Sequence, residues 1–189
     1  MAPGSTGFTM SSTIFFWVDL KLFITNAINY SYVNGKLSVT QRLGILTLIP
    51  KGDKDKYHLK NWRPLTSLNS LYKLLSGCIA ERIKPNLDCL IHPDQKWFVA
   101  GRFTGEAVRT TYDILSWAKF HKRMGILLLI NFEKAYDSLS FKYIKKALAF
   151  FNFGCGIIDW IGLLLHNFTA VLNHCGNISK RFNISRGAR

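Results

Sequence analysis

The sequence predicts an α+β fold in which helices pack on a small mixed or antiparallel sheet. Three observations carry that expectation. Residues 43–49 (LGILTLI) and 125–130 (GILLLI) are short apolar runs of strand length. Residues 69–84 and 104–120 space their apolar side chains by three and four, as the buried stripe of a helix does. Residues 168–185 alternate polar and apolar around Asn173-His174-Cys175-Gly176, the pattern of a hairpin.

The elements follow in chain order. Residues 1–13 are small and polar, with Pro3, Gly4 and Gly7, and read as a loop. Residues 14–34 read as a helix, aromatic on one side, ending near Gly35. The first apolar run stops at Pro50. The charged, turn-rich stretch 51–61 (KGDKDKYHLKN) then reads either as a hairpin tip or as a mobile loop, closed by Asn61-Trp62-Arg63-Pro64. Helix 69–84 carries Leu71, Leu74, Leu75, Cys78, Ile79 and Ile83, and Pro85 and Pro93 bracket a connector after it. Helix 104–120 carries Ala107, Tyr112, Leu115 and Phe120. The run 125–130 is apolar at every position, as a strand covered on both faces and central in a sheet would be. Ser140 is placed to cap a helix over 141–151, Gly154 and Gly156 interrupt it, and a further helix covers about 157–166. No internal repeat is visible.

Composition narrows the function classes. With 48% apolar and 19% charged residues, the 189-residue chain is neither a disordered tail nor a collagen-like fibre. Twenty-five Lys and Arg against eleven Asp and Glu leave a net charge of +14. That excess favours a polyanionic partner, a nucleic acid or an anionic membrane surface, unless the chain is part of a larger protein whose acidic part lies elsewhere. Cys78, Cys89, Cys155 and Cys175 show no CxxC spacing, so neither a zinc site nor a disulfide framework is expected, and a reducing, intracellular compartment fits. The stretch 14–24 (IFFWVDLKLFI) is short and interrupted by Asp19 and Lys21; it is not expected to span a bilayer, and no membrane partner is expected.

Two groups of residues carry candidate chemistry. The run 125–130 leads into Asn131-Phe132-Glu133-Lys134-Ala135-Tyr136-Asp137. A carboxylate just past a buried strand is a rigid oxygen ligand for a hard cation such as magnesium, although here the first position is an amide. The alternative is an ordinary strand end followed by a turn that caps the helix near residue 141. Lys51 and Arg63 form the second group, with Lys54 and Lys56 between them. A lysine point charge beside an arginine fork suits a polyphosphate; the alternative is a solvated charged loop. Arg102 and Lys73 are candidates for phosphate-backbone contact.

Taken together, these stretches resemble the reverse transcriptase of non-LTR (LINE-type) retrotransposons, and the likeness runs from end to end. Pro3-Gly4-Ser5-Thr6-Gly7 resembles that family's opening PGxDG turn. Leu48-Ile49-Pro50-Lys51 and Asn61-Trp62-Arg63-Pro64-Leu65 resemble its paired finger motifs. Tyr72-Lys73 and Ala80-Glu81-Arg82-Ile83 resemble the following helix. Ile91-His92-Pro93-Asp94-Gln95 and Gly101-Arg102-Phe103 resemble the template-side segment. Asn131 to Asp137 resembles the palm motif DFEKAFD, and Phe182 to Arg189 resembles the stretch leading into RGxRQG.

The resemblance implies a partial right-hand polymerase. Residues 1–124 would be mainly fingers and connecting helices, and 125–189 a partial palm. Lys51 and Arg63 would contact the triphosphate of the incoming deoxynucleotide. Tyr136 would be the steric gate against a ribose 2′-OH, and Phe132 would present backbone near triphosphate and metal. Lys73, Gln95 and Arg102 would lie on the template side. The implied partners are an RNA template, a DNA primer and deoxynucleoside triphosphates; the implied cofactor is Mg2+, and the charge suits a nucleus or a cytoplasmic ribonucleoprotein.

Departures from the pattern set expectations of their own. Asn131 stands at the family's first metal-binding aspartate, Thr6 at the aspartate of the opening turn, Trp97 at a glycine and Ala100 at a proline. The YxDD-type hairpin with the remaining catalytic aspartates, the rest of the palm and the thumb fall beyond residue 189. The chain is therefore expected to be inactive as a polymerase, with exposed apolar surface and marginal stability. The alternative function is a non-catalytic basic module that binds RNA or another nucleic acid.

Overall fold

A computed structural model describes residues 7, 9–132 and 134–187. The opening turn up to Thr6, Glu133 and the final Ala188-Arg189 lie outside the described residues. The chain divides into two compact units, Met1–Ile79 with Tyr136–Arg189, and Ala80–Ala135.

The first unit holds an open mixed sheet. Strands β1 (Leu43–Pro50), β2 (Trp62–Ser67), β3 (Thr169–His174) and β4 (Asn177–Ile178) stand in the order β2-β1-β3-β4, and β5 (Phe182–Asn183) also pairs with β3. β1 runs antiparallel to β2, with Ile49 opposite Arg63 and Pro50 opposite Trp62. It runs parallel to β3, with Leu43 opposite Thr169 and Thr47 opposite Asn173. The expected hairpin within 168–185 is present: His174 pairs with Asn177 across Cys175-Gly176, and both turn residues have positive φ, 50° and 85°, as a two-residue hairpin loop of this hand requires. β2 is an edge strand, which is why Pro64, with no N–H to offer a second neighbour, is accommodated opposite Leu48.

Helices of this unit pack on the sheet. They are α1 (Met10–Phe15), α2 (Trp17–Val33), the start of α3 (Ser70–Leu90), α5 (Ala135–Ser138), α6 (Phe141–Phe150) and α7 (Cys155–Leu165). The single helix expected over 14–34 is two, broken at Phe16. Ser140 caps α6, its hydroxyl accepting from the Tyr143 amide at 3.1 Å. The core gathers Leu75 and Ile79 of α3, Leu163 and Leu164 of α7, Phe168 and the fully buried Ala170. Gly44 leaves room beside β2 and the start of β3: a Cβ there would lie 2.8 Å from Thr66 Cγ2 and 3.2 Å from the Phe168 ring. Tyr32 of α2 stacks on Trp160 of α7 at 4.2 Å.

Tyr72 of α3 packs its ring 5.7 Å from that of Phe168 and donates its hydroxyl to the Leu164 carbonyl at 3.2 Å. Burial pushes its pKa up to about 12. The folded state therefore holds this proton more tightly than the unfolded chain. The associated stability is complete below pH 10 and declines as pH rises towards 12, by an amount on the order of 2 kcal/mol. Tyr72→Phe should lose about 1 kcal/mol at neutral pH, the worth of the hydrogen bond. It should also remove this share of the alkaline decline, and urea unfolding across that pH range measures both.

The second unit contains the rest of α3 and α4 (Thr104–Phe120). α3 does not end before Pro85 as expected but continues through it to Leu90. Pro85 and the surrounding turn are exposed, so water can take the carbonyl that the proline ring leaves without a donor. α4 has the expected bounds, yet Tyr112, Leu115, Trp117 and Phe120 are exposed along it.

Residues 125–130 are the main correction. No strand forms there; the segment is irregular, and Ile126 is 97% and Leu129 83% exposed. An apolar run becomes a strand only beside another strand's hydrogen-bonding edge, and the second unit has no strand among its described residues. Leu128→Lys is thus expected to change the unfolding free energy by less than about 0.5 kcal/mol and to raise solubility, whereas in a central strand it would cost several kcal/mol. Denaturant titration separates the two. No helix among the described residues is long and apolar enough to cross a membrane.

Candidate functional site

The β1–β2 hairpin builds the best-defined group. β1 ends at Pro50, so Lys51 is the first residue of the connection, and Arg63 is the second residue of β2. The ladder extends one bond past the strands, the Lys51 amide donating to the Asn61 carbonyl at 2.8 Å. Lys51 Nζ donates to the Lys60 carbonyl at 2.7 Å, which keeps its ammonium at the hairpin mouth. Arg63 is exposed, and its guanidinium has no partner among the described residues.

The connection itself is a pinned hairpin tip. Asn61 Nδ2 donates to the Asp55 carbonyl at 2.7 Å, Trp62 Nε1 to the Lys56 carbonyl at 2.9 Å, and the Tyr57 amide to Asp55 Oδ1 at 2.9 Å. Lys51 and Arg63 are thus held at one end of one hairpin, with Lys54, Lys56 and Lys60 nearby in sequence. Chemically such a pair could receive an anion: a point charge that retains donors and a planar fork suited to two phosphate oxygens.

Lys73 lies in the first turn of α3, its amide bonded to the Asn69 carbonyl at 3.0 Å. No sequence pattern marks Asn69. It is almost fully buried and accepts from the Leu71 amide at 2.9 Å, while its Nδ2 has no partner among the described residues. Tyr136 lies on α5 and is half-exposed. Asp137 beside it lines a cavity of about 360 Å3 together with Tyr72, Phe141, Phe168 and Arg186.

In the second unit Arg102 is the centre of a network. Its Nε donates to Asp88 Oδ1 at 3.0 Å. Nη1 reaches the carbonyls of His92 at 2.6 Å and Gln95 at 3.0 Å. Nη2 reaches Asp88 Oδ1 at 2.8 Å and the carbonyls of Asp88 at 3.0 Å and Ile91 at 2.9 Å. Only 10% of the side chain is exposed. All five N–H donors are engaged, and together they fold residues 88–95 around one guanidinium. Gln95 sits in that turn, exposed, with Nε2 donating to the Trp97 carbonyl at 3.3 Å. Phe98, next to Trp97, has a φ of 63°, a left-handed conformation uncommon for an aromatic residue. Asn131 and Phe132 are exposed on the irregular segment, and neither belongs to an element.

Over 188 residues, its whole length, the chain is 28% identical to the transposon TX1 uncharacterized 149 kDa protein of Xenopus laevis. Over 191 aligned positions it is 26% identical to the retrovirus-related Pol polyprotein from type-1 retrotransposable element R2 of Popillia japonica. The chain is a distant homologue of retrotransposon Pol-like proteins. It spans 14% of the length of the first relative and 26% of the second. No family model matches it.

A Pol-like homologue raises the question of a metal. Among the described residues no three His, Cys, Asp or Glu side chains come together. Within the stretch 131–137 the described amide and carboxylate side chains are those of Asn131, on the second unit, and Asp137, on the first.

Proposed function

We propose that this chain is the fingers and first half of the palm of an RNA-directed DNA polymerase of the non-LTR retrotransposon type, with residues 1–124 mainly fingers and 125–189 palm. The observation that carries the reading is the hairpin end, where Lys51 and Arg63 form an anion receptor at the positions the family resemblance gives to the triphosphate of the incoming deoxynucleotide. Tyr136 is the steric gate and Phe132 the backbone near the triphosphate. Lys73 and Gln95 contact the template. Arg102 works through the 88–95 turn: with every N–H engaged, it is a positioning residue for Gln95.

Asn131 makes the chain non-catalytic in this reading. The reaction of the parent enzyme is attack of a primer 3′-hydroxyl on the α-phosphate. Its magnesium pair needs anionic oxygen ligands, and a neutral amide does not fit that requirement. Loss of such an electrostatic partner costs about 3 kcal/mol or more of transition-state stabilisation. No catalytic step is therefore assigned to this chain.

A template–primer binding isotherm tests the proposal. An RNA template annealed to a DNA primer should bind saturably near physiological salt, with an affinity that falls steeply as salt rises. No saturable binding would overturn it. The net charge of +14 also favours a basic nucleic-acid-binding module without a nucleotide site. Such a module would bind the same RNA and show no affinity for a deoxynucleoside triphosphate.

A further inference from the structure

We infer that a second anion site, separate from the hairpin end, lies between Arg42 and Arg181, and that it takes a phosphate. A cleft of about 320 Å3 there is lined by Arg42, Asn167, Thr169, Arg181 and Asn183. Two arginines, two asparagines and a threonine line it, with no acidic residue among them. The sheet holds these residues in place. Leu43 pairs with Thr169 and Thr169 with Asn183, so β1, β3 and β5 lie side by side at the cleft.

Arg42 immediately precedes β1, and its carbonyl accepts the Thr169 amide at 3.0 Å, which anchors its backbone to β3. Its side chain is half-buried, and Arg181 is exposed two residues before Asn183. Arg102 and Arg109 meet carboxylates, whereas the guanidiniums of Arg42 and Arg181 have no ion pair or side-chain hydrogen bond among the described residues. Two arginines without counter-charges on one cleft bring like charges to the same place, and an oxyanion bound there would offset them while taking up their donors. The cleft is ample for a phosphate group. Its source is a phosphodiester of a bound strand or free phosphate, and only the first depends on the function proposed above.

The 189-residue chain and its Arg42→Gln/Arg181→Gln variant distinguish these outcomes in two assays. The first is thermal unfolding in sodium phosphate against sodium chloride at matched ionic strength. Phosphate should raise the midpoint of the parent chain clearly more than that of the variant, which keeps only the hairpin end. The second is the salt dependence of binding to a short single-stranded RNA, where the slope of log K against log salt should shrink by about 0.7 for each phosphate that the variant no longer neutralises. Lys122→Gln, an exposed charge in the other unit, serves as the control and should keep the full phosphate effect. If the variant loses the phosphate effect but keeps the RNA slope, the occupant is the free ion and the strand is excluded. A phosphate effect that depends on the two arginines, in a chain without RNA affinity, supports the site and overturns the proposed function. Equal phosphate stabilisation of parent and double variant, or none in the parent, overturns the inference. Asn183→Asp, an exposed change that places a negative charge in the cleft, carries the same test should the arginine variant fold poorly.

Discussion

Replacing Arg102 with alanine should destabilise the second unit by about 3 kcal/mol, the range for removing a largely buried, hydrogen-bonded charge. Four carbonyls and the Asp88 carboxylate converge on this one guanidinium from residues 88–95. Without it those acceptors have only water, and the turn loses the reason for its conformation. Arg102→Lys should recover little, because an ammonium has three donors and no planar fork. Amide hydrogen exchange reads the effect locally: protection of the Gln95 amide, which donates to the His92 carbonyl at 3.0 Å, should fall by about a hundredfold, or roughly 3 kcal/mol. A phosphate-contacting arginine with no structural duty would leave that protection unchanged.

Substitution of Lys51 and Arg63 should have the largest effect on ligand binding. Lys51→Gln removes a charge that the Lys60 carbonyl holds at the hairpin mouth, and Arg63→Lys removes the fork while keeping the charge. Each should weaken deoxynucleoside triphosphate binding by about tenfold, or 1.4 kcal/mol, as expected for one charge-assisted phosphate contact. Because the two side chains would share one ligand, the double variant should depart from simple additivity. Neither change should alter stability by more than about 0.5 kcal/mol, since Arg63 is exposed and Lys51 makes one surface hydrogen bond. Calorimetric titration and urea unfolding of the same preparations measure both quantities.

How much of this is legible in the sequence differs element by element, for physical reasons. β1, the Cys175-Gly176 hairpin, α4 and the Ser140 cap follow from local pattern, because turn chemistry, capping and helical spacing are short-range. Pro64 hides β2, because its effect depends on whether the strand is an edge, a property of the whole sheet. Pro85 hides the length of α3, because its penalty depends on exposure. The run 125–130 misleads because apolarity records a wish for burial and not the presence of a neighbouring strand edge.

The candidate site shows the same division. Lys51 and Arg63 are visible as residues in a motif, while the register that brings them to one hairpin end is not. The engagement of Arg102 spans residues 88 to 102, and the cleft shared by Arg42 and Arg181 draws on residues from most of the chain. Neither leaves a periodic trace.

Lysine footprinting of the 189-residue chain, with and without a deoxynucleoside triphosphate, tests the central claim most directly. In the proposed function the triphosphate lies at Lys51 and Arg63. Acylation of Lys51 should therefore slow on adding the nucleotide, while Lys119, Lys122 and Lys146 react at their original rates. Modification of Lys51 at an unchanged rate under saturating nucleotide, or equal slowing of all these lysines, would contradict it.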